Sequence, residues 1–407
     1  MRQAGLFRHN LFRLSEPFIT QQAERLHRYR PLYLGRLRYG AAPPGAEALV
    51  LEDLAPQMRL LPAAWHMLSA SPHPYLYMLE NRRPDLIHAH FGVEGVYALP
   101  LAARLNVPLI TTFHGFDATL SPLGLLANPA WARYALCRGQ LARRGSLFLA
   151  ASSFLREKLL ALEFPPARVV VHYIGVDTSA IAPRSPAQEE PVILHVARLE
   201  EVKGTAYLIR AFALIAPQHK LARLVIIGEG KQRKTLERLA RDTGMAERIA
   251  FLGAQPHEQV LGWMRRAAML VLPSVKTESG REEGLGMVML EAAACGVPGI
   301  GARVGGIAEG IVEGETGFLV PQRDPEALSV AMGTLLANPT LRLRMGEAAR
   351  RRVEQHFDLT RQTAALEDIY DGVLSARGDG GAEVAKVPAL RSNAGKQPEG
   401  AARQEKL

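Results

Sequence analysis

The sequence predicts an α/β protein of two doubly wound halves, each a parallel sheet covered by helices. Three observations carry this reading. Short apolar, β-rich runs alternate with longer helical runs along most of the 407 residues, the order that builds parallel sheets through crossover helices. Several β-like runs empty into glycine turns, as in LVIIGEG at 224–230. A proline- and charge-rich stretch without periodicity, IAPRSPAQEEP at 181–191, divides the chain, as an interdomain linker does. The length suffices for two full cores.

In the first half, strands are expected at 4–7, 31–37, 84–92 (PDLIHAHFG), 108–113, 146–151 and 168–173, with helices at 14–26 and 93–105. In the second half, strands are expected at 192–197 (VILHVA), 224–230, 248–253, 267–273, 297–302 and 317–320. Helices follow at 207–215, 231–240, 287–295, 324–337 and 339–357, and a further amphipathic helix at 358–373. The expected organisation is a first domain over 1–180, a linker over 181–191, a second domain over 192–357 and a C-terminal helix over 358–374. Residues 375–407 are glycine, alanine and charge with little apolar content, a composition that predicts disorder.

Composition narrows the function. No apolar run reaches the ~18 residues that span a bilayer, and arginine, histidine and asparagine interrupt the first residues, unlike a secretory signal. A cytoplasmic location is expected. Cys137 and Cys295 stand far apart with no metal-like spacing, which predicts neither structural zinc nor a disulfide. The formal net charge is +9. Residues 1–185 carry 20 Lys+Arg against 12 Asp+Glu, a difference of +8, and the remainder 29 against 28. This excess fits an anionic acceptor, peripheral contact with an anionic membrane, nucleic acid, or simply a solvated surface.

The most informative stretch is SVKTESGREEGLGMVMLEAAACGVP at 274–298. It follows the strand at 267–273 as a polar loop, relaxes at Gly284 and Gly286, and becomes a helix that Gly296 and Pro298 stop. Ligands of open α/β sheets bind at such strand ends, where a helix N-terminus offers free N–H groups to an anion. Glu283 lies in the loop and Glu291 eight residues on, within an otherwise apolar run. A carboxylate there is either functional or a cap on a neighbouring loop, since buried acids are usually paired. Upstream, Arg198 and Lys203 stand between a strand end and a helix start, in RLEEVKG. A planar fork and a mobile point charge so placed could clamp a diphosphate. His88 and His90 share one face of their strand, and His114 closes another in FHGFD.

Glu283 to Glu291, followed by AAACGVP, resembles the E-x7-E signature of the retaining glycosyltransferases of family 4. RLEEVKG is similar to that family's R-x4-K-G pattern. HAHFG and FHGFD resemble its branches that build bacterial exopolysaccharide, of the colanic-acid type. The resemblance covers about 14–373. It implies a GT-B fold, two Rossmann-like domains facing across a cleft, with a UDP- or GDP-sugar held mainly by the second. It implies that Glu283 and His114 lie beside the donor sugar and that Arg198 and Lys203 neutralise the departing diphosphate. Gly284, Leu285 and Gly286 would line the donor loop, and Glu291 would bind the ribose hydroxyls. His90 and Asp117 are weaker supports. In one respect the chain departs from the pattern. A Gly-Gly pair after the first strand is replaced by RLSEPF at 13–18, where the Ser15 hydroxyl and helix N–H groups could still meet an anion.

The resemblance further implies a front-face reaction with retention. No D-x-D pair is present to carry Mg²⁺, so neither metal nor other cofactor is expected beyond the nucleotide sugar itself. The acceptor would be a carbohydrate or a lipid-linked one, on the basic N-terminal side. Three other classes compete. A nicotinamide-dependent oxidoreductase lacks its G-x-G-x-x-G after the first strand. A sugar-nucleotide epimerase of the same shape would consume donor without acceptor. A basic nucleic-acid-binding protein would need a reading motif or an aromatic-interleaved basic run, and neither occurs.

Overall fold

The computed structural model describes residues 1–13, 16–58, 60–80 and 82–378. It contains two large parallel sheets and a small two-stranded one, Asn10–Leu11 beside Leu37–Arg38, also parallel. The first takes β1 (Arg2–Phe7), β2 (Tyr29–Gly35), β3 (Glu47–Val50), β4 (Leu86–His90), β5 (Leu109–Phe113), β6 (Leu147–Ala150) and β7 (Val169–Val171), in the order β3-β2-β1-β4-β5-β6-β7. The second takes β8 (Glu190–Val196), β9 (Arg223–Ile227), β10 (Ile249–Gly253), β11 (Ala267–Leu272), β12 (Gly299–Ala302) and β13 (Gly317–Val320), in the order β10-β9-β8-β11-β12-β13. Every pairing within these two sheets is parallel.

The strands are apolar on both faces because helices cover both. β11 is buried along its whole length, as are β4 and β5. Each sheet therefore separates two cores. In the first domain one core gathers Phe7, Ile87, Phe113 and Phe148, and the other gathers Ala4, Leu6, Tyr29 and Leu147. The second core is completed by Leu366, Ile369, Tyr370 and Val373 of the last helix. That helix spans Leu359–Gly378, so it runs past the expected end at 374 and into the stretch expected to be disordered. The remaining tail, 379–407, lies outside the described residues.

The chain crosses between domains at two adjacent places. The Val176 N–H donates to Phe357 O at 2.8 Å, and the Leu359 N–H donates to Val176 O at 2.9 Å. The expected linker is held against the second domain. Buried Arg184 donates to Ala267 O at 2.9 Å and pairs with Glu189 at 2.7 Å. Both cysteines are free thiols. Among the described residues, no helix is long and apolar enough to cross a membrane.

Strand order reverses between β1 and β4 in one sheet and between β8 and β11 in the other. At such switch points the connections leave to opposite faces and open a crevice at the strands' carboxyl ends. Both crevices carry the residues described next.

Candidate functional site

In the second domain the crevice lies between the ends of β8 and β11. Past β8 the chain makes a short 3-10 turn, Glu201–Lys203, then enters the helix Thr205–Ile215 through Gly204. Gly204 has φ +65°, and a Cβ there would lie 1.8 Å from Pro273 O. A side-chain-free residue is thus required for the helix start to press against the end of β11. That approach brings Lys203 Nζ onto Glu283 Oε2. Ser274 Oγ lies 3.5 Å from the same oxygen. Both charged side chains are largely buried, 17% and 15% exposed. Burial alone would raise the Glu283 pKa, but the charge and hydrogen bond of Lys203, then Arg198 and Arg281, pull it below the usual carboxylate range.

Arg198 is the open member of the set. Its side chain is 59% exposed and its guanidinium lies 3.3 Å from Glu200. Glu200 also pairs with Arg281 at 2.7 Å. Three cations, Arg198, Lys203 and Arg281, therefore surround Glu283 and Glu200 at the N-terminus of a helix. Extra positive charge there suits a phosphate-bearing ligand. Sequence reasoning missed Arg281, because only folding returns its loop to the end of β8.

Glu291 sits in the helix Met287–Ala294. Its Oε1 lies 3.1 Å from His257 Nε2, and this contact raises the His257 pKa. So Glu291 meets an imidazole, not the backbone of a neighbouring loop. His257 opens the helix His257–Arg266, which the sequence analysis left unassigned.

In the first domain the crevice lies at the ends of β1, β4 and β5. His88 and His90 do share a face, with ring centroids 4.4 Å apart. His90 Nδ1 lies 3.2 Å from His114 Nε2. The His114 ring is also packed by Phe91 at 4.6 Å and Phe18 at 5.0 Å, which leaves Nδ1 buried without a partner. Burial first, then the charges of His88, Arg8 and His172, hold His114 neutral well below the usual imidazole range. Asp117 is not in the cleft. It is 1% exposed, and its carboxylate accepts from the N–H groups of Gly92 at 2.8 Å, Gly115 at 2.9 Å and His114 at 3.3 Å. It fixes the loop carrying His114, while burial lifts its pKa to about 6.

Ser15 lies outside the described residues. Its neighbour Glu16 forms a two-pronged pair with Arg8, at 2.8 and 2.9 Å. Arg8 also meets Glu94, whose pKa falls to about 2: burial opposes ionisation, but Arg8 and His9 outweigh it. No sequence motif flagged Arg8 or Glu94.

The two domains meet at this place. A Cβ on Gly284 would lie 2.1 Å from His114 O, so the Gly284 loop and the His114 loop touch backbone to backbone. Ser152 Oγ donates to Gly284 O at 2.7 Å. Ser121 N–H donates to Ser279 O at 3.0 Å. Glu309 caps the helix Ser153–Ala161 from across the cleft, accepting from Ser153 and Phe154 N–H at 2.8 Å each and from Tyr173 OH at 2.9 Å. The structure thus brings Glu283, Gly284, Lys203 and Arg198 to one side of a narrow cleft and His114 and His90 to the other.

The family model for glycosyl transferases group 1 matches residues 177–352, and that for glycosyltransferase family 4 matches residues 20–180. The glycogen synthase of Mycobacterium tuberculosis is 30% identical over 71% of this chain and 69% of its own. A GDP-mannose-dependent alpha-(1-6)-phosphatidylinositol monomannoside mannosyltransferase of Mycolicibacterium smegmatis is 30% identical over 75% of this chain and 84% of its own. A putative colanic acid biosynthesis glycosyltransferase of Salmonella typhimurium is 31% identical over 69% and 70%. Among solved structures, HepE of Anabaena in complex with UDP superposes with a TM-score of 0.72 at 20% identity, over 91% of this chain and 100% of that one. Sucrose-phosphate synthase of Thermosynechococcus elongatus gives 0.76 at 21%, over 92% and 100%. The fold is GT-B.

Proposed function

Because the chain belongs to the family 4 glycosyltransferases, we propose that it moves a sugar from a UDP- or GDP-sugar to a carbohydrate or lipid-linked acceptor, with retention and without a metal. The observation that carries the reading is the Lys203–Glu283 pair at the β8/β11 switch point, with Gly284 against the His114 loop. A sugar held there has cations on its diphosphate side and the His114 loop opposite it on the first domain. The bond from the anomeric carbon to the diphosphate oxygen breaks. The acceptor hydroxyl attacks from the same face, and its proton passes to the departing phosphate oxygen. Arg198, Lys203 and Arg281 stabilise the charge that develops on that phosphate. Glu283 and His114 orient the sugar, and Glu291 holds the ribose, exchanging its contact with His257 for the hydroxyls.

Names of relatives support parts of this. One is GDP-mannose-dependent, and one is assigned to colanic acid biosynthesis. The acceptors implied by these names differ, and the colanic-acid relative favours a bacterial surface polysaccharide here. The test is product analysis by NMR after incubation with donor and acceptor. Retention of the donor's anomeric configuration, with turnover unchanged by EDTA, is expected. An inverted product, an isomerised donor without transfer, or EDTA inhibition reversed by Mg²⁺ would each overturn the corresponding part.

A further inference from the structure

The helix Leu60–Ser69 is built the wrong way round for a surface helix. Its inner side carries buried Ala63 and His66. Its outer side carries Leu60 at 61%, Leu61 at 57%, Trp65 at 61% and Leu68 at 71% exposure. At 3.6 residues per turn these four fall within an arc of about 140°, the side where polar residues belong. Tyr77 and Leu136, 77% and 76% exposed, stand on two neighbouring helices, His73–Leu79 and Pro129–Arg144. Monomers seldom leave so many large apolar side chains together in water without a use for them.

The surroundings specify the use. Arg133 donates to Leu68 O and so ties the stripe to the helix Pro129–Arg144. Just past the stripe, from Ala70 on, a groove of about 420 Å³ runs between the helices Gly92–Leu105 and Pro129–Arg144, lined by Val96 and Leu99 and by Arg104, Arg133 and Arg144. No Asp or Glu occurs between Leu54 and Leu79, nor between Ala118 and Arg156, while the second stretch holds four arginines, Arg133, Arg138, Arg143 and Arg144. An apolar stripe beside cations complements one surface in particular: a bilayer of anionic lipid, with leucine and tryptophan among the acyl chains and guanidinium groups at the phosphates.

We infer that the first domain docks on anionic lipid bilayers through the outer face of Leu60–Ser69 and the neighbouring arginines. The contact rests on the proposed transfer only for its purpose, which is to bring a lipid-linked acceptor to the cleft. Binding itself is read without donor or acceptor, so either idea fails independently of the other.

The experiment is co-sedimentation of the full chain with vesicles of phosphatidylcholine alone or with about one-third phosphatidylglycerol, at low and high salt. Wild type is expected to pellet with the anionic vesicles, less so in high salt, and to show a blue shift in tryptophan emission that Trp65→Phe removes. Trp65→Ser/Leu68→Ser and Arg104→Glu/Arg144→Glu are each expected to weaken binding at least tenfold. These side chains are exposed, so an unchanged melting midpoint serves as the folding control. Absence of wild-type pelleting at low salt, equal binding to neutral vesicles, or binding untouched by both double variants would overturn the inference. So would a stripe-dependent dimer in light scattering that excludes vesicle binding.

Discussion

Lys203 and Glu283 hold each other in a largely buried pair, so neither can be changed alone without cost. Truncating one partner leaves the other charge desolvated. Glu283 stays ionised only because Lys203, Arg198 and Arg281 outweigh burial. Glu283→Gln keeps the shape and removes the charge. It should lower kcat by about 10²-fold or more, on the scale of lost preorganised electrostatics, while the chain stays folded by circular dichroism. Unchanged kcat would remove Glu283 from the reacting centre. At this scale the sequence was partly legible. Glu283, Glu291, Arg198 and Lys203 lie in short linear patterns. His257, Arg281 and Glu309 do not, because their partners come from distant elements; Glu309 and the Ser153 N–H it caps are 156 residues apart.

Elements position these residues through close backbone contact. At Gly204, positive φ and the nearness of Pro273 O act together. Gly204→Ala should force the helix Thr205–Ile215 away from β11, separate Lys203 from Glu283, and weaken donor affinity at least tenfold in a calorimetric titration. Retained affinity would show that the helix start is not what places Lys203. The elements themselves were legible where glycine or proline bounds an apolar run: β13 spans the expected residues, and β11, β12 and the helix Met287–Ala294 differ by one or two. Left unassigned from the sequence were β3 and, among others, the helices Leu60–Ser69, His73–Leu79, Pro129–Arg144, Ser153–Ala161 and His257–Arg266. Leu60–Ser69 had a usable signal, Leu61, Trp65 and Leu68 at i, i+4 and i+7, the spacing of one helix face. Pro129–Arg144 had one too, Asn128 as cap with proline at the first position, a pairing that marks helix starts.

The whole molecule buries many neutral histidines. Burial holds His9, His172 and His195 at about 4, and His88, His90 and His114 are also held well below their ordinary value. The unfolded chain titrates these near 6.5. Between about pH 6.5 and 4 it therefore binds more protons than the native state, and stability falls as pH falls. Asp117, raised to about 6, works the other way and offsets roughly one histidine. The net uptake should reach two or more protons, about 3 kcal/mol per pH unit at the steepest. Denaturant titrations from pH 7 to 4.5 check this, and a slope below one proton would mean the histidines are not buried as described.

Ligand-dependent thermal unfolding is the test of the proposed donor site at the β8/β11 switch point. Wild type and Arg198→Ala/Lys203→Ala are each melted with and without UDP, GDP, ADP and their sugars. A ligand at about 100 times its Kd adds roughly 2.7 kcal/mol and raises the midpoint visibly. The account predicts a rise with the UDP or the GDP family in wild type and none in the double variant. No rise with any nucleotide, or a rise that survives both substitutions, would contradict it.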